Sequence, residues 1–209
     1  IETSKIYNTG YSCSRTYDQP KRTSWYLYKI IHPGGDIIEF TYDSKYFTYY
    51  SGISETVTEL LYPNTCGPNQ CEAPNNPTTL CHQILAATTW HLTSIEASDG
   101  QKIIFYPSYN RQDLDDYKLD SLIVLDPDGN VYKRFDFSYY FTMHNQYLNT
   151  FHDDDQTLKH RMFLDSIQIS GDSSPVIQTY GFEYIQRNDL PPRLSFAQDH
   201  WGYFNGVDN

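Results

Sequence analysis

Leu119-Asp120-Ser121-Leu122-Ile123-Val124-Leu125-Asp126-Pro127-Asp128-Gly129-Asn130-Val131-Tyr132-Lys133-Arg134-Phe135-Asp136-Phe137-Ser138-Tyr139 decides the fold class. It reads as strand, tight turn, strand. The Asp-Gly pair supplies the positive φ that a hairpin turn needs. Past the turn, Phe135, Phe137 and Tyr139 alternate with Asp136 and Ser138. Period two sends the rings to one face and the polar groups to the other. On the outgoing side Leu119, Leu122, Ile123, Val124 and Leu125 leave no polar face. That pattern predicts a central strand covered on both sides.

Three other stretches share this form. Trp25-Tyr26-Leu27-Tyr28-Lys29-Ile30 returns through Pro33-Gly34-Gly35-Asp36 to Ile37-Ile38-Glu39-Phe40-Thr41-Tyr42. Leu92-Thr93-Ser94-Ile95 returns through Ser98-Asp99-Gly100 to Ile103-Ile104-Phe105-Tyr106. Leu164-Asp165-Ser166-Ile167-Gln168-Ile169 returns through Gly171-Asp172-Ser173 to Tyr180-Gly181-Phe182-Glu183-Tyr184. In the last strand Tyr180, Phe182 and Tyr184 are expected on one face. Leu92 and Ile95, like Leu164 and Ile167, stand three apart, which a regular strand would place on opposite faces. A β-bulge, or partial burial of both faces, would resolve this. The leading leucines, Leu27, Leu92, Leu119 and Leu164, lie 65, 27 and 45 residues apart. A solenoid is more regular. The pattern therefore predicts hairpins with unequal surface-loop insertions at 46–77 and 145–159. Helical periodicity is confined to Asn76-Pro77-Thr78-Thr79 leading into Leu80, Ile84 and Leu85, where a short helix is expected. The fold class read from the chain is all-β: antiparallel hairpins in one large curved sheet or a two-sheet sandwich, with little helix, as a single domain over 1–209.

Composition bounds the function. The chain has 209 residues, 15 basic against 26 acidic side chains and a net charge of −11. Nucleic-acid backbones call for clustered Lys and Arg, so no nucleic-acid partner is expected. No run approaches the ~18 apolar residues of a spanning helix, so no membrane-spanning segment is expected. A chain of this size buries roughly 70% of its unfolded surface, enough to fold without metal or disulfide. The chain is tyrosine-rich, with 20 Tyr, and that aromatic area is packed or offered to a ligand. It begins at Ile1, which reads as a processed form or an excised piece. Four cysteines, Cys13, Cys66, Cys71 and Cys81, in an acidic chain fit an exported protein with one or two disulfides of open connectivity. Zinc held by Cys66, Cys71, Cys81 and His82 is the sharper alternative, but a C-x2-C knuckle is missing.

The repeated L-x-S-I strand, the glycine turn, the F-x-Y strand and a specific tail carry a resemblance. The tail is Leu190-Pro191-Pro192-Arg193-Leu194-Ser195-Phe196-Ala197-Gln198-Asp199-His200-Trp201-Gly202-Tyr203-Phe204-Asn205-Gly206. The chain resembles the region upstream of the repeats in large exported Rhs/YD-repeat proteins of Bacteroidetes-type bacteria, where a D-H-W-G-Y-[YF]-N-G segment precedes the repeats. The resemblance covers about 23–209. It implies a secreted or cell-surface bacterial β module whose partners are other parts of the same long polypeptide or a cell-surface partner. In the wider group, strings of hairpins wind into a hollow shell. The chain departs from the repeat consensus, since Tyr42-Asp43-Ser44-Lys45 begins it without completing it. Asp126-Pro127-Asp128-Gly129 matches the D-P-x-G letters of a self-cleaving core without its flanks, so no protease activity is carried over.

Candidate chemistry is sparse. Asp126, Asp128 and Asn130 start a calcium-loop spacing without its later ligands, and a turn explains them. His152-Asp153-Asp154-Asp155 reads as a solvated acidic loop. Arg111 and Asp113 read as a strand-end ion pair. Asp199 and His200 are the most enzyme-like pair, yet neighbours in an extended chain point apart. No G-x-S-x-G elbow or H-E-x-x-H helix accompanies them, though Ser195 is close in sequence. Asp199, His200, Trp201, Tyr203 and Asn205 instead form a ligand-binding candidate, with rings as platforms for a glycan. The bland reading is that Trp201 anchors the tail on the sheet. The sequence thus predicts a non-catalytic structural or interaction module without a metal or cofactor. A carbohydrate-binding module and a hydrolase using Asp199 and His200 stand as alternatives.

Overall fold

The structure is a computed structural model that describes residues 2–10, 19–58, 78–144, 155–171 and 178–207. It holds one open antiparallel sheet of ten strands. The strands are β1 (Glu2–Gly10), β2 (Lys21–Ser24), β3 (Lys29–Ile31), β4 (Ile37–Val57), β5 (Thr78–Ala97), β6 (Lys102–Ser108), β7 (Lys118–Leu125), β8 (Val131–Met143), β9 (His160–Ser170) and β10 (Gln178–Gly181). Among the described residues the only helix is one turn, α1 (Gln156–Lys159), capped by Asp155, whose side chain accepts from Thr157 N–H. Of the two architectures left open by the sequence, the single sheet is the one observed.

All four hairpins form: β3–β4, β5–β6, β7–β8 and β9–β10. Gly35, Gly100 and Gly129 hold the first three turns at φ of 102°, 93° and 85°. Only Gly has no steric penalty there. The helix expected near Leu80 is absent, because Thr78–Ala97 is a 20-residue strand. Its β-branched residues gain a full ladder on β4, which outweighs a weak cap signal. For the same reason 46–57 is not a surface loop but the second half of β4, while 59–77 lies outside the described residues. The first outgoing strand is also shorter than expected. Trp25 to Tyr28 do not pair in a strand but link β2 to β3. Ser24 to Lys29 is five steps, at most about 18 Å of chain. In a flat sheet four strand spacings of about 4.8 Å would already take roughly 19 Å. The sheet therefore curls at this point, and Tyr26 fastens the curl through its hydroxyl to Glu2 (2.6 Å) and its ring against Tyr42.

The three-residue spacing has one cause in the second, third and fourth repeats. Tyr42 pairs with Leu92 and Thr41 with Ser94, so Thr93 is an extra residue. Pro107 pairs with Leu119 and Tyr106 with Ser121, so Asp120 is extra. Tyr139 pairs with Leu164 and Ser138 with Ser166, so Asp165 is extra. Each bulge brings the Leu and the following Ile or Leu onto the same face. The third hairpin follows this rule too, and its strand is not covered on both sides: Leu122, Ile123, Val124 and Leu125 are all half-exposed, and Ser121 is its buried residue. Pro107, which has no N–H to give, is tolerated at such a bulge.

Every junction between hairpins is thus the same. The F-x-[YP] of a returning strand pairs with the L-x-S-[IL] of the next outgoing strand. Phe40 meets Ile95, Phe105 meets Leu122, and Phe137 meets Ile167. Within a hairpin, the returning tyrosine hydroxyl donates to the carbonyl of the leading leucine. Tyr42 bonds Leu27 O (2.8 Å), Tyr139 bonds Leu119 O (2.7 Å) and Tyr184 bonds Leu164 O (2.9 Å). In the second hairpin Pro107 takes the tyrosine's place.

The registers give the mid-sheet two unlike faces. One bears Phe40, Ile95, Ile103, Phe105, Leu122, Val124, Phe135, Phe137, Ile167 and Ile169. The other is mixed: Ile104, Ile123 and Leu125 stand on it among ion pairs such as Lys29–Glu39, Lys102–Glu96 and Arg134–Asp136. None of the apolar residues just named is fully buried. The accessible surface is 14,199 Å², against about 10,000 Å² for a compact monomer of 24.4 kDa. Leu158 and Pro192 are fully buried, and Phe47, Ala86 and Ala87 form a second buried group on the β4–β5 ribbon.

Candidate functional site

The tail builds a small exposed turn. Gln198 bridges to Phe204, and Asp199 N–H donates to Tyr203 O (2.8 Å). Gly202 closes the turn at φ 84°. Asp199 Oδ1 accepts from the N–H groups of Trp201 (2.8 Å) and Tyr203 (2.9 Å). That carboxylate is a turn cap, and it does not orient His200. His200 is exposed and meets Trp201 edge-on at 5.2 Å. Ser195 is 2% exposed, and its Oγ accepts from Ala197 N–H (3.1 Å). The structure does not bring Ser195, Asp199 and His200 into a relay. Asn205 Oδ1 accepts from Val207 N–H. Trp201 is 80% exposed and Tyr203 73%. Trp201 therefore does not anchor the tail, since buried anchoring comes from Pro191, Pro192 and Ala197 instead. Arg161 and Arg193 secure that stretch: Arg161 Nε donates to Pro191 O (2.9 Å), and Arg193 N–H to Leu158 O (2.9 Å). Burial lowers the pKa of both guanidinium groups.

A second cluster, not signalled by any motif, lies where residues 109–117 fold over the β4–β5 ribbon. Tyr109 and Tyr117 share a hydroxyl–hydroxyl hydrogen bond, and Tyr117 also reaches Asp43 (3.4 Å). That bond to Tyr109, with burial and the nearby carboxylate, raises the Tyr117 pKa. Lys45 lies over both rings, 4.9 and 5.3 Å from their centroids, and pairs with Asp115 (2.9 Å). His91 Nε2 is 3.0 Å from both Thr89 Oγ1 and Asp116 Oδ1. The Asp116 contact is close but off the hydrogen-bond line. A catalytic relay uses the two ring nitrogens separately, with the carboxylate on one and the nucleophile on the other. Here both partners crowd one nitrogen, so the cluster is a brace. Arg111 grips Asp113 through Nε (2.8 Å) and Nη2 (3.1 Å), and Arg193 donates to Asp113 O (2.7 Å). This ion pair is part-buried and ties the 109–117 segment to the tail, rather than being a strand-end pair in solvent. Beside it is a cavity of about 210 Å³ among Thr48, Tyr49, Ile84, Leu114 and Asp155. That is below the ~300 Å³ at which small-molecule sites begin.

The metal readings find other uses. Asp126 accepts from Asn130 N–H (2.8 Å) and Nδ2 (3.1 Å), which lowers its pKa and closes the turn. Cys81 is disulfide-bonded, so it has no thiolate to give zinc. Cys13, Cys66 and Cys71 lie outside the described residues, as do His152, Asp153 and Asp154. Among the described residues no three His, Cys, Asp or Glu side chains gather as a metal site. None of their helices is long and apolar enough to cross a membrane. No protein-family model, curated protein or solved structure matches the chain.

Proposed function

We propose that this chain is a non-catalytic structural module of an exported bacterial surface protein of Rhs/YD type. One observation carries the reading: the same hairpin-to-hairpin junction is built three times in one open sheet. A repeated junction gives stability that adds unit by unit, as suits a scaffold grown by extension. The exposed surface agrees, because a sheet with both faces half-open is suited to lie against more protein. The partners in this reading are other parts of the same polypeptide or a cell-surface partner. Expression together with adjoining hairpins, followed by electron microscopy, tests it. A continuous or closed β-wall is the expected result; a freely tumbling, separate domain refutes it.

A second reading, glycan binding, is favoured by the exposure of Trp201 and Tyr203 on one turn. Flat rings open to solvent can stack on sugar C–H faces. A glycan array on the wild type and on Trp201→Ala tests this. Hits lost in the variant are expected, and an array without hits ends the reading.

A further inference from the structure

The fourth hairpin repeats the F-x-Y of its predecessors as Phe182-Glu183-Tyr184, and among the described residues no further strand pairs with it. Phe182 N–H donates to Asp165 O (2.9 Å), toward β9. Strand alternation then turns the backbone groups of Thr179, Gly181 and Glu183 outward. β10 ends the sheet order, so among the described residues that outward row meets no strand. Tyr180, Phe182 and Tyr184 are 52%, 38% and 39% exposed. Next to them is a recess of about 340 Å³ lined by Asp165, Phe182, Glu183, Tyr184 and Arg187. Elsewhere Phe40, Phe105 and Phe137 stand half-buried, each with a following Ile or Leu paired against it.

We propose that this edge, from Thr179 to Tyr184, is a docking site for an antiparallel strand of sequence L-x-S-[IL]. The docked strand sets its Ile or Leu on Phe182 and its Leu on Tyr184, and bulges at x. The argument is continuity with an established interface, since three junctions in this chain already take that sequence in that register. The occupant is a strand from outside this chain's own set. Its three L-x-S-[IL] strands, in β5, β7 and β9, are already paired on both sides of the motif's hairpin. The remaining leading strand, Leu27-Tyr28-Lys29-Ile30, puts Lys where the motif has Ser, so a second copy of the chain is a poor match. Backbone pairing gives such a site its affinity, and the recess and ring pair give it selectivity. The inference rests on the scaffold reading and names the partner of its open end.

The test uses the full 209-residue chain and a labelled synthetic peptide with the β9 sequence, His160–Ser170, followed by fluorescence anisotropy. Saturable one-to-one binding is expected. A peptide with Asp in place of Ile167 should bind at least 10-fold more weakly, since it loses the side chain that the register sets on Phe182. Thr179→Pro removes an outward N–H at an edge position, where Pro is tolerated, and should weaken binding at least 10-fold. Phe182→Ser should do the same. If a variant fails to fold, hydrogen exchange of Thr179, Gly181 and Glu183 in the wild type, slowed by peptide, gives the answer without it. No binding up to 1 mM peptide (a weak-limit affinity of about 4 kcal/mol) overturns the proposal. So does equal binding of the Asp-for-Ile167 peptide, indifference to Thr179→Pro, or self-association of the chain that Thr179→Pro abolishes. A chain that fails here yet extends into a continuous wall with adjoining hairpins retires this inference and leaves the scaffold reading standing.

Discussion

Leu158 and Ile185 are isomeric side chains in opposite surroundings, and replacing each by Ala measures how far burial governs this open sheet. Leu158 is 0% exposed and Ile185 is 96% exposed. Leu158 lies on the single helical turn and its carbonyl accepts from Arg193 N–H, so it fastens the tail to β9. Leu158→Ala deletes three carbons. At roughly 0.8 kcal/mol per buried methylene the transfer loss is about 2.4 kcal/mol. The cavity left behind raises this toward the ~2.7–5.0 kcal/mol seen for buried Leu→Ala changes. Few side chains here are fully buried, so about 3 kcal/mol is a large share of a typical 5–15 kcal/mol. Ile185→Ala removes as many carbons from solvent and should stay within about 0.5 kcal/mol. Urea unfolding followed by far-UV dichroism and tryptophan fluorescence reads both. With a slope near 2 kcal/mol/M, Leu158→Ala should lower the midpoint by about 1.5 M. A loss under about 1 kcal/mol, or one equal to that of Ile185→Ala, would refute the packing argument.

Three further outcomes follow from local geometry. Gly129→Ala should cost about 1 kcal/mol for its φ of 85° alone, because a Cβ there meets open space, whereas Gly100→Ala also brings a Cβ to 3.2 Å from Pro127 O and should cost more; urea midpoints in the reverse order would count against the turn assignment. Tyr26 and Tyr139 are raised by burial and Tyr117 by its bond to Tyr109, so their folded pKa values exceed the ordinary value near 10. Their stabilisation is complete below pH ~10 and falls away as pH rises through the folded values; Tyr117→Phe should flatten the decline of urea midpoints between pH 9 and 11, and an unchanged slope would sink this. Trp201→Ala should leave the melting temperature unchanged, since its ring is 80% exposed; a drop of several degrees would mean the ring is packed after all.

The bulges show where the sequence was legible and where it stopped. Leu92 with Ile95, and Leu164 with Ile167, each three apart, announce that those two strands carry a misfit, whereas the apolar run from Leu119 hides the third. Whether Thr93, Asp120 or Asp165 absorbed it depended on the strand paired alongside, and one sequence does not print its neighbours. The 76–85 stretch reads as a short helix for the same reason, because its cap signal is local and the β4 ladder that overrides it is not. The brace of Asp43, Lys45, His91, Tyr109, Asp116 and Tyr117 left no motif at all. Its members stand up to 74 residues apart and meet only when 109–117 folds over the ribbon.

Period-two alternation, turn glycines and the scarcity of helical spacing fixed the class of structure, because backbone geometry repeats over two residues whatever the partner strand. They also located the turns at Gly35, Gly100 and Gly129. Only the tertiary structure decided how the hairpins join, that Asp199 caps a turn and does not serve His200, and that the outer edge of β10 meets no strand among the described residues. Those outcomes depend on which distant strands share hydrogen bonds, and that choice is a property of the assembled sheet.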